Sequence, residues 1–363
     1  MIRKQNKKDS MQDFIDLTSA LIRFPSTADR PEALAECAAY VTDFLDDRGV
    51  AFQLRHYQGV PSIWVLPAAD YAPVLLMSHM DVVDGPEELF HPRVEDGRLW
   101  GRGSIDDKYA VALSLLLVAE FMERMGGDQS RLPFGILITG DEERGGKDGV
   151  QPALEEIRAD FVIALDGGSL AKIVVKEKGI IQLKLVTRGV AAHGARPWLG
   201  ENAIEKLMAD YQKIKSLFKV EAPGHWHRTL NWGMVRGGEV VNQVPDYAEA
   251  VFDIRYTEAE DPRQLVADIR SAVKGEISEV SVDPVFLGGT SPYLDRLQEF
   301  VPGIELGFEH GASDARFLSK HGIPGIVWGA DGDMSQHSAR EHINLSSVAR
   351  LREIFTRYFE ALA

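Results

Sequence analysis

A histidine and an aspartate separated by one residue, His79 and Asp81, follow the apolar run 74–77. Such a run indicates a buried strand, and open α/β sheets bind ligands at the carboxyl ends of their strands. Side chains two residues apart on an extended chain point to the same side, so the imidazole could face a metal ion while the carboxylate orients it. An isolated His-x-Asp is more often a hydrogen-bonded histidine beside a turn, so this pair alone predicts little.

Two further apolar runs end in acidic residues. The run 133–139 leads to the adjacent Glu142 and Glu143, and the run 161–165 is followed by Asp166. Neighbouring glutamates at a strand end point in different directions, so one could bind a metal ion while the other acts as a general base. A solvated acidic loop would explain one such run, but acids after several buried strands favour a common site.

The glycine-rich segment 101–108 ends in two adjacent aspartates, just before an apolar helix predicted over residues 110–122. We expect Asp107 to serve only as an N-cap or first-turn residue of this helix. Asp106 lies on the loop side, where the two oxygens of one carboxylate could bridge two cations. The sequence therefore predicts a centre for two metal ions at these strand ends.

These motifs together resemble the signature of the M20 family of co-catalytic metallopeptidases. The resemblance rests on His79-x-Asp81, Gly-Arg-Gly-x-x-Asp106-Asp-Lys, Asp-Glu142-Glu143-x-Gly, Asp166 and His337-x-x-x-Glu341-x-Ile343, in the order and spacing of that family over nearly the whole chain. The family includes aminoacylases, acetylornithine deacetylase, succinyl-diaminopimelate desuccinylase, glutamate carboxypeptidase and several di- and tripeptidases. The resemblance implies a metal-dependent hydrolase.

The resemblance also implies a role for each of these residues. Two divalent ions would be held by five ligands, namely His79, Asp166, Glu143, His337 and a bridging Asp106. Zn²⁺ suits imidazole and carboxylate ligands, and Mn²⁺ and Co²⁺ are compatible. Asp81 would orient His79, and Glu142 would be the general base. His310 is the other candidate for the last ligand, but we choose His337 because Glu341 and Ile343 follow it.

Three residues in the middle of the chain lie in segments that resemble lid motifs of the family. The first is His193, which would donate a hydrogen bond to the substrate carbonyl oxygen, although a surface histidine is the alternative. The others are Asn242 and Arg255, which would contact the substrate, and Arg255 could equally be a solvated charge. In relatives the lid histidine reaches the active site of the partner subunit, which implies a homodimer.

Ser313 and Arg316 belong to the segment 311–316, which resembles a Gly-x-Ser-Asp-x-Arg loop of the family. Backbone amides and Arg316 could bind a substrate carboxylate there. The alternative is that Ser313 or Asp314 is the N-cap of a helix over residues 315–320, and both could hold together. By contrast, the pair His225 and His227 lies without nearby carboxylates in the sequence, so we expect an incidental surface pair.

The order of apolar runs predicts an α/β fold in two domains, as expected for 363 residues. Strands that alternate with helices favour a mixed, largely parallel sheet. Residues 179–288 instead show the order strand, helix, two strands, helix, strand, which is ferredoxin-like. We predict a catalytic domain of phosphorylase/hydrolase-like type (1–178 and 289–363) with an inserted α+β lid and dimerisation domain (179–288).

Composition excludes several classes of partner. A net charge of −15 disfavours nucleic acid and anionic membranes. The single cysteine, Cys37, excludes intrachain disulfides and is expected in the core. The basic segment 1–10 is expected to be a frayed tail, and no apolar run has the length of a signal peptide core or a membrane span, so a cytoplasmic location is the default expectation.

The substrate class is the least determined property. An aspartate at position 166 is associated in this family with aminopeptidases and dipeptidases, and Asp166-Gly-Gly resembles the tripeptidase branch, so we favour a small peptide substrate. An N-acyl amino acid deacylase of the acetylornithine or desuccinylase type is the main alternative. A hydrolase of ureido or carbamoyl compounds and a non-catalytic metal-binding relative are further alternatives.

Overall fold

The computed structural model describes residues 10–363, so the predicted N-terminal tail lies, apart from Ser10, outside the described residues. The α-helices of this part are α1 (Ser10–Ile22), α2 (Pro31–Asp46), α3 (Lys108–Arg124), α4 (Val150–Glu156), α5 (Ala203–Ser216), α6 (Pro262–Ala272), α7 (Pro292–Gln298), α8 (Leu318–His321) and α9 (Leu345–Glu360). No helix in residues 10–363 is long and apolar enough to cross a membrane.

The strands of residues 10–363 are β1 (Gln53–Tyr57), β2 (Val60–Val65), β3 (Tyr71–His79), β4 (Arg93–Glu95), β5 (Arg98–Trp100), β6 (Gly135–Thr139), β7 (Arg158–Ala164), β8 (Lys172–Glu177), β9 (Gly179–Arg188), β10 (Ala192–His193), β11 (Thr229–Gly237), β12 (Gln243–Val244), β13 (Tyr247–Tyr256), β14 (Glu276–Asp283), β15 (Phe286–Leu287), β16 (Glu305–Glu309), β17 (Gly325–Val327) and β18 (His342–Asn344). They form two larger and two smaller sheets. The chain divides into two compact units, and the second comprises residues 177–286 and 309–312.

The first unit is built on a sheet with the strand order β1-β2-β6-β3-β7-β17-β8-β15, and β16 pairs with β8. The central strands β6, β3, β7 and β17 run parallel. On the flanks, β1, β2 and β8 join in antiparallel pairs. The predicted mixed α/β sheet is confirmed, with its parallel part confined to these four central strands.

Buried helices explain why the central strands are continuously apolar. Every residue of β6 is buried, as expected for a strand that is covered on both faces. Helix α3 packs against β3, and α1 and α9 pack against α3. Cys37 lies in the same core, as predicted. This packing fixes the carboxyl ends of β3, β6 and β7 relative to one another.

A small antiparallel sheet, in the order β18-β5-β4, was not predicted because each of its strands has only three residues. The glycine-rich segment follows β5, and the loop that carries His337 precedes β18. The amide of Gly101 donates to the carbonyl oxygen of Glu341 at 3.1 Å. The small sheet therefore brings together two segments that are far apart in the sequence.

The second unit contains a four-stranded antiparallel sheet, in the order β11-β13-β9-β14. Its chain order, β9-α5-β11-β13-α6-β14, is the predicted ferredoxin-like order. Apolar residues of α5, α6 and the sheet form its separate core. The last strand of this order, β14, has a weak signal in the sequence, because most of its side chains are exposed and polar.

Candidate metal centre

The ends of three neighbouring strands position the first group of candidate ligands. His79 is the last residue of β3, and Asp166 lies two residues beyond the end of β7. Glu142 and Glu143 begin a short 3₁₀ turn after β6. Because β3 lies between β6 and β7 and runs parallel to both, these side chains come from one edge of the sheet.

The candidate ligands, together with the proposed base Glu142, form two groups that Asp106 connects. In the first group, a ring nitrogen or carboxylate oxygen of each residue lies within 4.8 Å of the others; its members are His79, Glu142 and Asp166. The same holds for the second group, which consists of Asp106, Glu143 and His337. Asp106 Oδ1 is 3.1 Å from His79 Nε2. The other oxygen, Oδ2, is 3.0 Å from His337 Nε2, which is also 3.1 Å from Glu143 Oε1. Asp106 thus has one carboxylate oxygen in reach of each histidine.

The electrostatics of these groups fit divalent cations. Burial, together with the neighbouring carboxylates of Asp106 and Glu142, raises the pKa of Asp166 well above its usual range. Burial and the nearby Asp314 do the same to the pKa of Glu142. Carboxylates gathered in this way repel one another unless a cation lies between them. Two imidazoles and several carboxylates form a donor set suited to Zn²⁺, Mn²⁺ or Co²⁺.

The pKa values of the two histidines and of Asp106 are shifted in the directions that favour their charged forms. Burial alone would lower the pKa of His79, but Asp106 and Asp81 raise it well above its usual value. Hydrogen bonds with Asp106 and Glu143 raise the pKa of His337 to about 10. Burial opposes ionisation of Asp106, yet the two histidines lower its pKa. Each imidazole therefore lies where positive charge is favoured, which is also the requirement of a bound cation.

Asp81 contacts more of the centre than the sequence suggested. Its Oδ1 lies 3.4 Å from His79 Nδ1, and its backbone carbonyl oxygen is 3.1 Å from the same nitrogen. In addition, Oδ1 accepts a hydrogen bond from the amide of Glu142 at 3.2 Å, and Oδ2 accepts one from the amide of Glu143 at 3.0 Å. One buried carboxylate thereby positions the histidine and both glutamates.

The prediction that Asp107 serves only at the start of the helix is wrong. Asp107 occupies the N-cap position of α3, but its side chain makes no capping hydrogen bond. It is fully buried, and its Oδ2 accepts a hydrogen bond from the amide of His79 at 3.3 Å. Burial raises the pKa of Asp107 well above its usual range. The tertiary fold directs this carboxylate towards the end of β3 instead of towards the helix amides.

Sequence reasoning missed a buried ion pair beneath the centre. Arg102 pairs with Glu341, and both side chains are nearly inaccessible to solvent. Glu341 also accepts a hydrogen bond from the amide of Gly103 at 2.8 Å. Glu341 was visible in the C-terminal motif, but the sequence contained no signal for its partner. The pair ties the glycine-rich segment that leads to Asp106 to the loop that carries His337.

The 311–316 segment adds a buried cation beside Glu142. Ser313 is the N-cap of a short 3₁₀ helix, Asp314–Phe317, so the predicted capping role is confirmed for Ser313. Arg316 is buried, donates to the carbonyl oxygen of Ser313 at 2.6 Å and lies 3.8 Å from Glu142 Oε1. Burial raises the pKa of Asp314 to about 7. The structure thus places Arg316 against Glu142, with its guanidinium bonded inside the protein.

In the second unit, His193 and Asn242 come together. Strand β10 pairs with β12, and the amide of Gly194 donates to the carbonyl oxygen of Asn242 at 2.7 Å. His193 is exposed, and its Nδ1 accepts a hydrogen bond from the amide of Ala195 at 3.0 Å. A neutral ring with Nδ1 as acceptor carries its proton on Nε2. His193 therefore presents an Nε2–H donor.

The remaining candidates of the second unit are not in this ladder. Arg255, in β13, forms a paired contact with Asp253, with a shortest nitrogen to oxygen distance of 2.7 Å. The carbonyl oxygens of His225 and His227 both accept from Lys178 Nζ. Neither histidine belongs to a group of metal-ligand type among residues 10–363, and His310 does not either.

Comparisons with known proteins identify the family to which the chain belongs. The model of peptidase family M20/M25/M40 matches residues 75–361. A succinyl-diaminopimelate desuccinylase of Magnetococcus marinus is 25% identical over 97% of this chain and 99% of its own. An M20 family metallo-carboxypeptidase of Sulfolobus solfataricus has a TM-score of 0.78 at 17% identity, over 98% of this chain and 99% of its own. A tripeptidase of Staphylococcus aureus has a TM-score of 0.77 at 18% identity, over 97% and 98%.

The family model spans most of the chain and includes every candidate ligand of the metal centre. The solved structures share the fold over almost the full length. The chain therefore belongs to peptidase family M20/M25/M40, and the prediction of an M20-type metal-dependent hydrolase is confirmed at the level of the family.

Proposed function

We propose that the chain is a dinuclear metal-dependent hydrolase that cleaves an amide bond of a small peptide, with Glu142 as general base. The observation that carries this proposal is the position of Glu142. Its carboxylate lies with His79 and Asp166, and its backbone amide is held by Asp81. Burial raises the pKa of Glu142 well above its usual range. A buried carboxylate with a raised pKa, next to a cation site, suits a general base because it binds a proton more strongly than an exposed carboxylate does.

The ions would be held by His79, Asp166, Glu143 and His337, with Asp106 bridging. When bound, two divalent ions supply positive charge that acidifies a water molecule and polarises the substrate carbonyl. Zn²⁺ is the first choice for these ligands, and Mn²⁺ and Co²⁺ are compatible. Glu142 accepts the proton of the attacking water and passes it to the leaving amine. Asp81 holds Glu142, Glu143 and His79 in their positions during this transfer.

A residue of the second unit would stabilise the negative charge that develops on the substrate. We assign residues 1–178 and 289–363 to the catalytic domain and residues 179–288 to the lid, a division supported by the two separate cores. His193, with its Nε2–H donor, would stabilise the oxyanion of the tetrahedral intermediate. By family resemblance we propose a homodimer in which His193 of the partner subunit serves each active site. Sedimentation of the metal-loaded protein tests the dimer.

The proposed substrate-binding residues differ in the contacts that support their role. Asn242 lies beside the His193 segment, which is consistent with a shared role at the substrate. Arg255 is engaged by Asp253, so a substrate carboxylate would have to compete with that pair. Ser313 and Arg316 lie in the first unit next to Glu142, and Arg316 would act through its charge on Glu142. We therefore place Arg316 ahead of Arg255 as a functional residue.

The substrate class has one principal alternative. Asp166 favours a peptidase by family resemblance, and a tripeptidase is among the similar structures. A desuccinylase is similar over the full length of the chain, which supports an N-acyl amino acid deacylase as the second candidate. Both activities require the same metal centre and the same general base, so they differ only in how the substrate is bound.

Amine release from a defined panel separates these candidates. The chelator-stripped protein would be reloaded with Zn²⁺, Mn²⁺ or Co²⁺ and assayed with dipeptides, tripeptides and N-acetyl and N-succinyl amino acids. Metal-dependent turnover of peptides with a free N-terminus would support the peptidase. Turnover of N-acyl substrates alone would assign a deacylase. Absence of metal-dependent turnover on the whole panel would contradict both candidates and favour the non-catalytic relative.

A further inference from the structure

The hydroxyl of Tyr109 joins two backbone segments beside the metal centre. Tyr109 is fully buried in the first turn of α3, three residues after Asp106. Its hydroxyl donates to the carbonyl oxygen of Leu165 at 2.5 Å and accepts from the amide of Ala330 at 3.1 Å. Leu165 directly precedes Asp166, so one of these hydrogen bonds ends one peptide unit away from a proposed ligand.

Two glycines bring the same backbone segments into direct contact. A Cβ atom on Gly329 would lie 2.1 Å from the Tyr109 hydroxyl and 2.2 Å from the carbonyl oxygen of Gly167. A Cβ atom on Gly167 would lie 2.8 Å from the Cα atom of Trp328. Only glycine fits at such separations. The segment after β17 and the segment that contains Asp166 are therefore packed backbone to backbone, with the Tyr109 hydroxyl inserted between them.

This junction continues the pairing of the main sheet. Strands β17 and β7 run parallel up to Val327 and Ala164, and the amide of Trp328 still donates to the carbonyl oxygen of Ala164 at 2.9 Å. Beyond Ala164 the pairing of β7 with β17 ends, and the carbonyl oxygen of Leu165 accepts its hydrogen bond from the hydroxyl of Tyr109. The hydroxyl takes over the function of a ladder hydrogen bond at the position where the chain turns to present Asp166.

We propose that Tyr109 is a positioning residue for the metal centre, because its hydroxyl fixes the backbone that presents Asp166 relative to the start of α3, which follows Asp106. Tyr109 acts through these two aspartates and does not itself bind the ion or the substrate. The inference rests on the proposed ligand roles of Asp106 and Asp166. It adds a residue that connects two ligands from different elements, in the way that outer partners orient metal ligands.

A purely structural role is the alternative, since any buried tyrosine with satisfied hydrogen bonds stabilises a fold. Tyr358 supplies a matched control. It is also fully buried, its hydroxyl donates to the carbonyl oxygen of Tyr293 at 3.1 Å, and it lies in α9, which carries none of the proposed ligands. Tyr109→Phe and Tyr358→Phe each remove one buried hydroxyl and keep the ring, so a difference between the two variants reports on the metal centre.

The test measures the two binding constants for Zn²⁺ on the metal-free, full-length protein by competition with a chromophoric chelator. We expect Tyr109→Phe to bind one of the two ions about 10–100-fold more weakly, as for loss of other outer partners, and Tyr358→Phe to bind both as the wild type does. Gly329→Ala, which keeps the hydroxyl but forces the same segments apart, should weaken the same ion. The visible spectrum of the Co²⁺-loaded protein should change in Tyr109→Phe and Gly329→Ala only.

Three results would overturn the inference. Tyr109→Phe could bind both ions with wild-type affinity, or Tyr109→Phe and Tyr358→Phe could weaken both ions to the same extent. If Tyr109→Phe does not fold, wild-type affinity in Gly329→Ala would overturn it as well. A wild-type protein that fails to bind two ions would instead contradict the proposed function, so the two failures are distinguishable.

Discussion

The backbone amide of Glu142 donates a hydrogen bond to the carboxylate of Asp81, with 3.2 Å between the nitrogen and Oδ1. The proposed general base is thus held by its main chain, which leaves its carboxylate available for proton transfer. The other oxygen of Asp81 holds the amide of Glu143 in the same way. Asp81 therefore couples the proposed base to a proposed ligand.

Asp81→Asn should disturb both the proposed base, Glu142, and the proposed ligand, Glu143. An asparagine side chain has a single acceptor oxygen, so one of the two amides would face an NH₂ group and lose its hydrogen bond. We expect turnover per active site to fall about 10–100-fold. The measurement is kcat at saturating metal, with Asp84→Asn, a nearby exposed aspartate, as the control. Wild-type kcat in Asp81→Asn would show that the two amide contacts have no catalytic importance.

Adjacent aspartates should respond differently to the same substitution. Asp106 has one carboxylate oxygen near each histidine, whereas Asp107 accepts a hydrogen bond from the amide of His79, which the side-chain oxygen of an asparagine can also accept. We expect Asp106→Asn to retain fewer than two ions per chain after dialysis and Asp107→Asn to retain both. Elemental analysis gives the count. Two ions in Asp106→Asn would rule out the bridging role.

The Arg102 and Glu341 pair predicts a stability effect. Both side chains are buried, so Arg102→Met would leave an unpaired carboxylate inside the protein. We expect a loss of about 3–5 kcal/mol in the free energy of unfolding, and a smaller loss in the double variant Arg102→Met/Glu341→Leu, because no charge remains buried there. Denaturant unfolding followed by tryptophan fluorescence measures both. A double variant less stable than Arg102→Met would contradict this explanation.

Asp210 predicts a pH dependence in the second unit. Burial alone would raise the pKa of Asp210, but Lys213 and the amides of Lys274 and Gly275 lower it. An acid with a lowered folded-state pKa stabilises the fold above its unfolded pKa of about 4, and this stabilisation is lost as the pH falls below that value. Asp210→Asn should therefore cost about 1–3 kcal/mol at pH 7, with a smaller cost at pH 3.

Urea unfolding of the wild type and of Asp210→Asn at both pH values tests whether the cost of the substitution is larger at the higher pH. Asp268→Asn provides a control, because Asp268 is an exposed aspartate of the neighbouring helix α6. A difference between wild type and Asp210→Asn that grows as the pH falls would contradict the lowered pKa.

The residues of the metal centre could be predicted where their signal was local. His79, Glu142 and Asp166 each follow an apolar run, and an apolar run that ends in a polar ligand is readable without knowledge of the fold. His337 had no such strand, and its choice over His310 came from the motif around Glu341. The structure places His337 with Asp106 and Glu143, and it keeps His310 out of both groups.

The contacts that were not predicted all depend on the tertiary fold. Arg102 and Glu341 are 239 residues apart, and nothing in either segment indicates the other. Asp107 has the sequence position of a helix cap, but the packing of α3 under β3 directs it to the amide of His79. Tyr109 directly precedes the helix predicted over residues 110–122, and only the close approach of Gly167 and Gly329 shows why its hydroxyl is needed.

The proposal makes Glu142 the general base and not a metal ligand, so Glu142→Gln should remove turnover and keep both ions. The measurement is metal-dependent amine release on the best substrate of the panel, together with the number of ions bound per chain. Glutamine cannot accept the proton but preserves the size of the side chain, so we predict two bound ions and a loss of turnover of about 10²–10⁴-fold. Turnover equal to that of the wild type with two ions bound would contradict the account.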